Sequence, residues 1–179
     1  MTHTQAYARP SSDVTDGNWV NSSGNNTDLF SYIDEAVASD SDYIQVQDSD
    51  GSAETCEVGL GAVDDPGVAT GHKVTFRASE NSGMNVVTLV VLLRQGTTTI
   101  KTMTENTFGS AETFEHTLSS GEANSISDYS ALRLHFTATD GMGTTAVTRV
   151  YQAFLECPAP DEIILAPVAS KANVLGMFD

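Results

Sequence analysis

Carboxylates are the most abundant groups in this chain that could do chemistry. General acid–base hydrolysis needs two carboxylates held at a defined separation in a cleft. Neighbouring acids occur at five places, all in segments rich in turn residues, but close pairs arise by chance among 24 acidic residues. We therefore predict that the protein is not an enzyme. The five pairs are Asp13/Asp16, Asp34/Glu35, Asp40/Asp42, Asp48/Asp50 and Asp64/Asp65.

One acidic segment has the outline of a calcium loop. Asp48, Asp50 and Glu54 place oxygen ligands at alternate positions around Gly51, and Ca²⁺ needs both oxygen ligands and a sharp turn. The third ligand position and the Glu spacing of an EF-hand are missing. We therefore favour a solvated acidic turn, and we predict no bound metal and no cofactor.

The four histidines lack the spacing of a metal or catalytic site. His3, His72, His116 and His135 form no His-x-His or His-x-x-x-His pattern, so their convergence is not visible in the sequence. The sequence also lacks a Gly-x-Ser-x-Gly motif, a phosphate-binding loop and a dinucleotide-binding glycine pattern. These observations favour a binding role over catalysis.

Aromatic side chains could form a platform for a sugar ring. The candidates are Trp19, Tyr32, Tyr43, Tyr129 and Tyr151, although core or rim packing is the simpler explanation for each. A carbohydrate-binding module predicts an exposed aromatic row on one sheet face or loop end.

Alternating apolar residues predict the strands that would position these groups. Lys73–Ala78, Val86–Gln95 and Ala131–Thr139 each change face at every residue, as a strand does. In Val86–Gln95 the second face is also largely apolar, which predicts a central strand that is buried on both sides for most of its length. A further strand, Thr145–Cys157, is expected to place its apolar residues on one face. These residues are Val147, Tyr151, Ala153 and Leu155.

Turn residues predict how the strands connect. Gln95–Thr97 leads into Thr98–Thr104 as a hairpin, and Asp140–Gly143 is expected to join the last two strands as another hairpin. Ser119 or Ser120 can cap a single helical turn. Eight or nine strands without a long helix predict an all-β fold, an antiparallel β-sandwich of the jelly-roll type.

We divide the chain into an N-terminal arm (residues 1–12), a sandwich (13–157) and a C-terminal docking tail (158–179). Pro158 and Pro160 end the last strand. The tail has too many apolar residues for a solvated terminus, so we expect it to pack on its own sandwich or to dock on a neighbouring chain. The candidate docking residues are Ile163, Ile164, Leu165, Val168, Val174, Leu175, Met177 and Phe178.

Net charge and cysteine content limit the partners and the cellular compartment that we expect for this protein. A net charge of −16 repels nucleic-acid backbones and anionic lipid, so we expect neither nucleic acid nor membrane as a partner. The first ten residues have no apolar signal-peptide core, which favours synthesis in a cytoplasm. In a reducing cytoplasm we expect Cys56 and Cys157 to be buried free thiols.

Several short phrases resemble a domain found in phage virion proteins and in related bacterial proteins. The resemblance covers residues 9–157 and implies a jelly-roll-like sandwich used for attachment in a particle. It carries no catalytic residue. The phrases are Arg9–Val14 with Gly17–Trp19, Ile33–Glu35, Asp40–Ile44, Asp65–Gly67, Leu93–Gly96, Ile126–Tyr129 and Leu132–Leu134.

The sequence thus predicts a non-enzymatic structural protein of a phage virion, made in the host cytoplasm. A capsid decoration (cement) protein that stabilises the head is the first expectation. Its partners would be other virion proteins, namely the major capsid protein or tail and collar proteins, and it would form a homo-oligomer such as a trimer. The alternatives are a collar, tail or fibre component, or a carbohydrate-binding β-sandwich module.

Overall fold

The computed structural model describes residues 5–48, 51–81, 87–106, 109–140 and 146–159. Within them, the only α-helix is α1 (Ser120–Asn124), and 3-10 turns lie at Leu29–Tyr32 and Tyr129–Ala131. No helix of this described part is long and apolar enough to cross a membrane. The strands are β1 (Ala6–Ala8), β2 (Pro10–Thr15), β3 (Val20–Asn21), β4 (Ile44–Asp48), β5 (Ala53–Leu60), β6 (Lys73–Asn81), β7 (Val87–Gln95), β8 (Thr98–Asn106), β9 (Glu112–Thr117), β10 (Leu132–Asp140) and β11 (Ala146–Cys157).

These strands form two antiparallel sheets. The five-stranded sheet has the order β2-β5-β10-β7-β8, and the six-stranded sheet has the order β3-β4-β11-β6-β9, with β1 pairing β11. Strands β4 to β11 therefore divide into β4-β11-β6-β9 and β5-β10-β7-β8, which is the winding of a jelly roll. The predicted all-β jelly-roll sandwich is confirmed.

The core lies between the sheets and follows the alternation seen in the sequence. Along β10 the inward residues are at most 1% exposed, and those of β7 are equally buried. Trp19 is fully buried against Phe136, with ring centroids 6.2 Å apart. The inward residues of the two strands are Leu132, Leu134, Phe136 and Ala138, and Val87, Leu89, Val91 and Leu93. The outer face of β7 is only half-buried, so this strand is not covered equally on both sides.

One of the two predicted hairpins is confirmed and the other is wrong. β7 and β8 pair across Gly96, whose φ of 57° suits the tight turn. In contrast, β10 lies in the five-stranded sheet and β11 in the six-stranded sheet. The two are sequential strands of a jelly roll, and the chain crosses from one sheet to the other between them.

The predicted single face of the last strand is also wrong. The register of β11 against β6 shifts between Val150 and Gln152, and such a bulge changes which residues point inward. Val150, Ala153 and Leu155 belong to the core. Tyr151 instead bonds Ser79 Oγ at 2.8 Å through its hydroxyl, and Val147 is only half-buried.

The boundaries of the sandwich differ from the predicted ones at the N-terminus. Residues 6–8 pair with the end of β11, and residues 10–15 pair with β5. Ala8 and Pro10 are buried, and the Gly61 N–H donates to the Arg9 carbonyl at 2.7 Å. Burial and backbone pairing therefore make most of the predicted arm an edge of both sheets.

The C-terminal docking residues lie outside the described residues. The same is true of His3, and of Asp50 in the calcium-loop pattern. The eight docking residues are Ile163, Ile164, Leu165, Val168, Val174, Leu175, Met177 and Phe178. Cys56 and Cys157 are both buried and free. Burial raises the pKa of both thiols, that of Cys157 to about 12.

Candidate functional site

Most of the acidic pairs noted in the sequence organise loops. The Asp13 carboxylate accepts the backbone N–H groups of Leu29 and Phe30 at 3.0 and 2.9 Å, so it holds the first 3-10 turn against β2. Asp40 pairs with Arg77 through two bonds of 2.6 and 2.7 Å. These carboxylates stabilise structure, and they do not face one another across a cleft.

The three described histidines occupy three separate environments. His72 is fully buried, and its Nε2 lies 2.7 Å from the Tyr129 hydroxyl. His116 Nε2 lies 2.8 Å from Glu105. His135 projects from the middle of β10. Among the described residues no group of three or more His, Cys, Asp or Glu side chains could hold a metal ion.

The aromatic candidates are used mainly for packing. Trp19, Tyr129 and Tyr151 are buried. Tyr43 packs edge-on against Tyr151, with centroids 5.7 Å apart, and the Arg149 guanidinium lies over the Tyr43 ring, 4.8 Å from its centroid. These four rings therefore do not offer a free stacking surface, and Tyr32 is half-buried against the core.

The segment that follows the first 3-10 turn covers part of the outer face of the six-stranded sheet. The Ile33 carbonyl accepts the backbone N–H of Ala153 at 3.0 Å. The Glu35 carbonyl accepts from Arg9 at 2.5 Å and from Gln152 at 2.6 Å. Burial raises the pKa of the Glu35 carboxyl. This sheet face is thus partly occupied by the chain itself.

The outer face of the five-stranded sheet offers a more accessible surface. Directly paired residues on antiparallel strands point to the same face, so one row of side chains crosses all five strands. Thr102 at its far end is exposed and Leu92 is half-buried, whereas Glu57 is only 7% exposed. The row consists of Thr15, Glu57, His135, Leu92 and Thr102.

Glu57 is the centre of a polar cluster formed from three strands. Its carboxylate lies 3.7 Å from Arg94 Nη1, 3.9 Å from Arg133 Nη1 and 3.9 Å from His135 Nδ1. Hydrogen bonds from a nitrogen donor to a carboxylate oxygen are usually shorter than about 3.2 Å between the two heavy atoms. The four groups, which we call the Glu57 cluster, lie close together without being joined by normal hydrogen bonds.

Several polar atoms of the Glu57 cluster are buried and keep unused hydrogen-bonding capacity. Glu57 Oε1, Arg94 Nε and His135 Nδ1 are buried atoms without a hydrogen-bond partner among the described residues. Burial, followed by the charge of Arg94, lowers the pKa of His135, and the Glu57 carboxylate opposes this effect. A lowered pKa favours the neutral imidazole at neutral pH. Buried polar atoms are costly unless something satisfies them.

Sequence reasoning did not identify this cluster. Arg133 and His135 alternate with the buried Leu132 and Leu134 and so point outward, but their proximity to Glu57 and Arg94 depends on strand pairing. Outward polar and charged residues are common on the solvated face of an antiparallel sheet, so the sequence carried no distinctive signal for this cluster. Their arrangement suits recognition of a polar ligand.

Fold and site together define a jelly-roll β-sandwich with a polar cluster on one outer face. No protein-family model and no curated protein matches the chain. Among solved structures it is similar to the N-terminal cellulose-binding domain of Cellulomonas fimi β-1,4-glucanase C, with 12% identity over 85% of this chain and 98% of that one, at a TM-score of 0.49.

Two other solved structures show a similar relationship. A CBM4 structure has 14% identity over 65% of this chain and 84% of that one, at a TM-score of 0.47. The enzymatically active domain of bacteriophage CBA120 tailspike protein 4 has 9% identity over 85% of this chain and 19% of that one, at a TM-score of 0.42. At these identities and scores the matches describe similar shape, and we infer no function from them.

Proposed function

We propose that this protein is a non-catalytic carbohydrate-binding β-sandwich whose ligand lies on the outer face of the five-stranded sheet. The observation that carries the proposal is the buried Glu57 carboxylate, whose Oε1 has no hydrogen-bond partner among the described residues. It lies beside donors that also keep free capacity.

A sugar hydroxyl matches this mixture of groups because it both donates and accepts hydrogen bonds. When the side chains that cover Glu57 Oε1 move aside, a hydroxyl can donate to this atom while it accepts from Arg94 or Arg133. Neutral polar ligands with only one of these capacities would leave part of the cluster unsatisfied. Leaving buried polar groups unpaired is unfavourable, so the site discriminates in favour of polyhydroxylated ligands.

The surroundings of the cluster suit the less polar side of a sugar ring. Val90 and Leu92 are half-buried on the same face, next to the exposed Thr102 and Thr104 of β8. The apolar atoms of these side chains can contact ring C–H groups. Because the described part of this face lacks an aromatic residue, binding depends on hydrogen bonds more than on stacking.

Titration calorimetry, with ligands chosen from a glycan array, tests the proposal. Wild-type protein should bind at least one oligosaccharide, and Glu57→Gln should weaken that binding about tenfold or more, since it removes a charged acceptor. Arg77→Gln is the matched control because Arg77 lies in the other sheet, paired with Asp40. Equal losses in both variants, or no binding to any glycan, would refute the proposal.

A second proposal is the role in a phage virion, which rests on the resemblance of residues 9–157 and on the apolar composition of the tail, residues 158–179. The chain would attach to other virion proteins as a homo-oligomer. Light scattering and cosedimentation with capsid shells test this role. An oligomer that cosediments, and that fails to do so after deletion of residues 158–179, supports attachment through this tail. A folded monomer that does not cosediment with capsid shells, tails or fibres contradicts the virion role.

A further inference from the structure

Two arginines face each other at the centre of the proposed binding surface. Arg94 on β7 and Arg133 on β10 are directly paired residues, and like charges in that position destabilise a sheet. The Glu57 carboxylate lies beside them, 3.7 Å from Arg94 Nη1 and 3.9 Å from Arg133 Nη1. Two guanidinium groups and one carboxylate leave an excess charge of about +1 here, because arginine stays protonated.

Three other described basic residues are paired more closely with carboxylates. Arg77 lies 2.6 Å from Asp40, Lys73 lies 3.0 Å from Glu115, and Lys101 lies 3.1 Å from Glu122. A chain with 24 acidic residues has ample carboxylates to neutralise all of its cations. The long contacts of the opposed arginines therefore differ from these three ion pairs, whereas Arg9 and Arg149 contact a carbonyl or amide oxygen and an aromatic ring instead.

We infer that the Glu57 cluster recognises the carboxylate of an acidic saccharide, a sugar of the uronic-acid class. This inference rests on the proposed carbohydrate-binding function and names its ligand class. A carboxylate supplies the missing negative charge and matches the planar fork of a guanidinium. A neighbouring hydroxyl of the same sugar can donate to Glu57 Oε1, which a carboxylate alone would repel.

The state of His135 is compatible with this assignment. The groups that face it are Glu57 on β5 and Arg94 on β7, with Arg133 on its own strand. Because its pKa is lowered, the imidazole is neutral at neutral pH, and the excess positive charge belongs to the arginines. A neutral imidazole can still donate one hydrogen bond to the sugar or accept one from it.

Matched ligands give the sharpest test. Calorimetry would compare oligosaccharides of galacturonate, glucuronate and mannuronate with the neutral oligosaccharides of galactose, glucose and mannose, together with a sulfated galactan. At least one uronate should bind about tenfold more tightly than its neutral counterpart. That preference should decline as salt concentration rises.

Arginine variants assign the preference to the cluster. Arg94→Gln and Arg133→Gln should reduce it to about twofold or less, whereas Arg94→Lys should retain part of it because the charge remains without the fork. Arg77→Gln should keep the full preference. Circular dichroism and urea unfolding would establish that each variant is folded.

The outcomes separate this inference from the proposed function. Equal binding of neutral and acidic sugars would overturn the inference and leave carbohydrate binding intact. Tighter binding of the sulfated galactan than of every uronate would overturn the assignment to a carboxylate. Failure of all the sugars to bind would remove the proposed function as well.

Discussion

The Nε2 atom of His72 lies 2.7 Å from the hydroxyl oxygen of Tyr129, and both side chains are buried. Burial raises the pKa of the Tyr129 phenol to about 12 and lowers the pKa of His72. The pair is therefore neutral at neutral pH and is held together by a hydrogen bond. It ties the loop before β6 to the 3-10 turn before β10.

Removal of the Tyr129 hydroxyl should destabilise the fold. Tyr129→Phe leaves His72 Nε2 buried without its partner, so the free energy of unfolding should fall by about 1–3 kcal/mol. Urea denaturation followed by fluorescence measures the change. Tyr7→Phe is the control, because Tyr7 is 43% exposed and its loss should stay within about 0.5 kcal/mol. Equal stabilities of the two variants would contradict the importance of the buried pair.

Acid should destabilise the protein partly through His135. Its folded-state pKa lies below the unfolded value of about 6.5, so the unfolded state binds more protons and stability falls as pH falls through that range. Glu35, whose pKa is raised, acts in the opposite direction. The informative quantity is therefore how much more stability wild type loses on acidification than a variant without the His135 imidazole.

Urea unfolding at about pH 7.5 and about pH 5 should show that wild type loses more stability than His135→Gln. The variant lacks the titrating imidazole and retains Glu35 and the other carboxylates. A loss in the variant that equals or exceeds the wild-type loss would show that His135 does not contribute as described.

The helical turn α1 depends on a specific cap. The Ser119 side chain accepts the Glu122 backbone N–H at 3.3 Å, and the Glu122 carboxylate accepts the Ser119 N–H at 2.7 Å. These contacts and Lys101 lower the pKa of Glu122 against the effect of burial. Ser119→Ala should cost about 0.5–2 kcal/mol by urea denaturation. Ser120→Ala, one residue later and exposed, should cost clearly less; the reverse order would assign the cap to Ser120.

Gly17 should tolerate a side chain much less well than Gly96. Both have positive φ, 54° and 57°, but a Cβ on Gly17 would lie 1.9 Å from the Thr55 carbonyl oxygen, whereas none of the surrounding atoms comes within 4 Å at Gly96. Gly96→Ala should cost roughly 1–2 kcal/mol for the left-handed backbone alone. Gly17→Ala should cost more than about 3 kcal/mol. Similar thermal unfolding of the two variants would argue against the close approach at Thr55.

Local sequence determined strands β6, β7, β8, β10 and β11, the β7–β8 hairpin and the capped turn at Ser119. Alternation along Val87–Gln95 and Leu132–Asp140 specifies which residues are buried, because neighbouring residues of a strand point to opposite faces whatever strand lies beside them. Turn and cap chemistry is likewise fixed within a few residues. The fold class follows from these local signals.

Tertiary structure alone decided which strands pair and therefore which polar groups meet. The sheet change between β10 and β11, the bulge after Val150 and the use of residues 6–15 as sheet edges all depend on contacts between distant segments. The Glu57 cluster has the same origin, since Glu57, Arg94 and Arg133 come from β5, β7 and β10. A period-two pattern gives a residue its face but gives no information about its neighbour across the sheet.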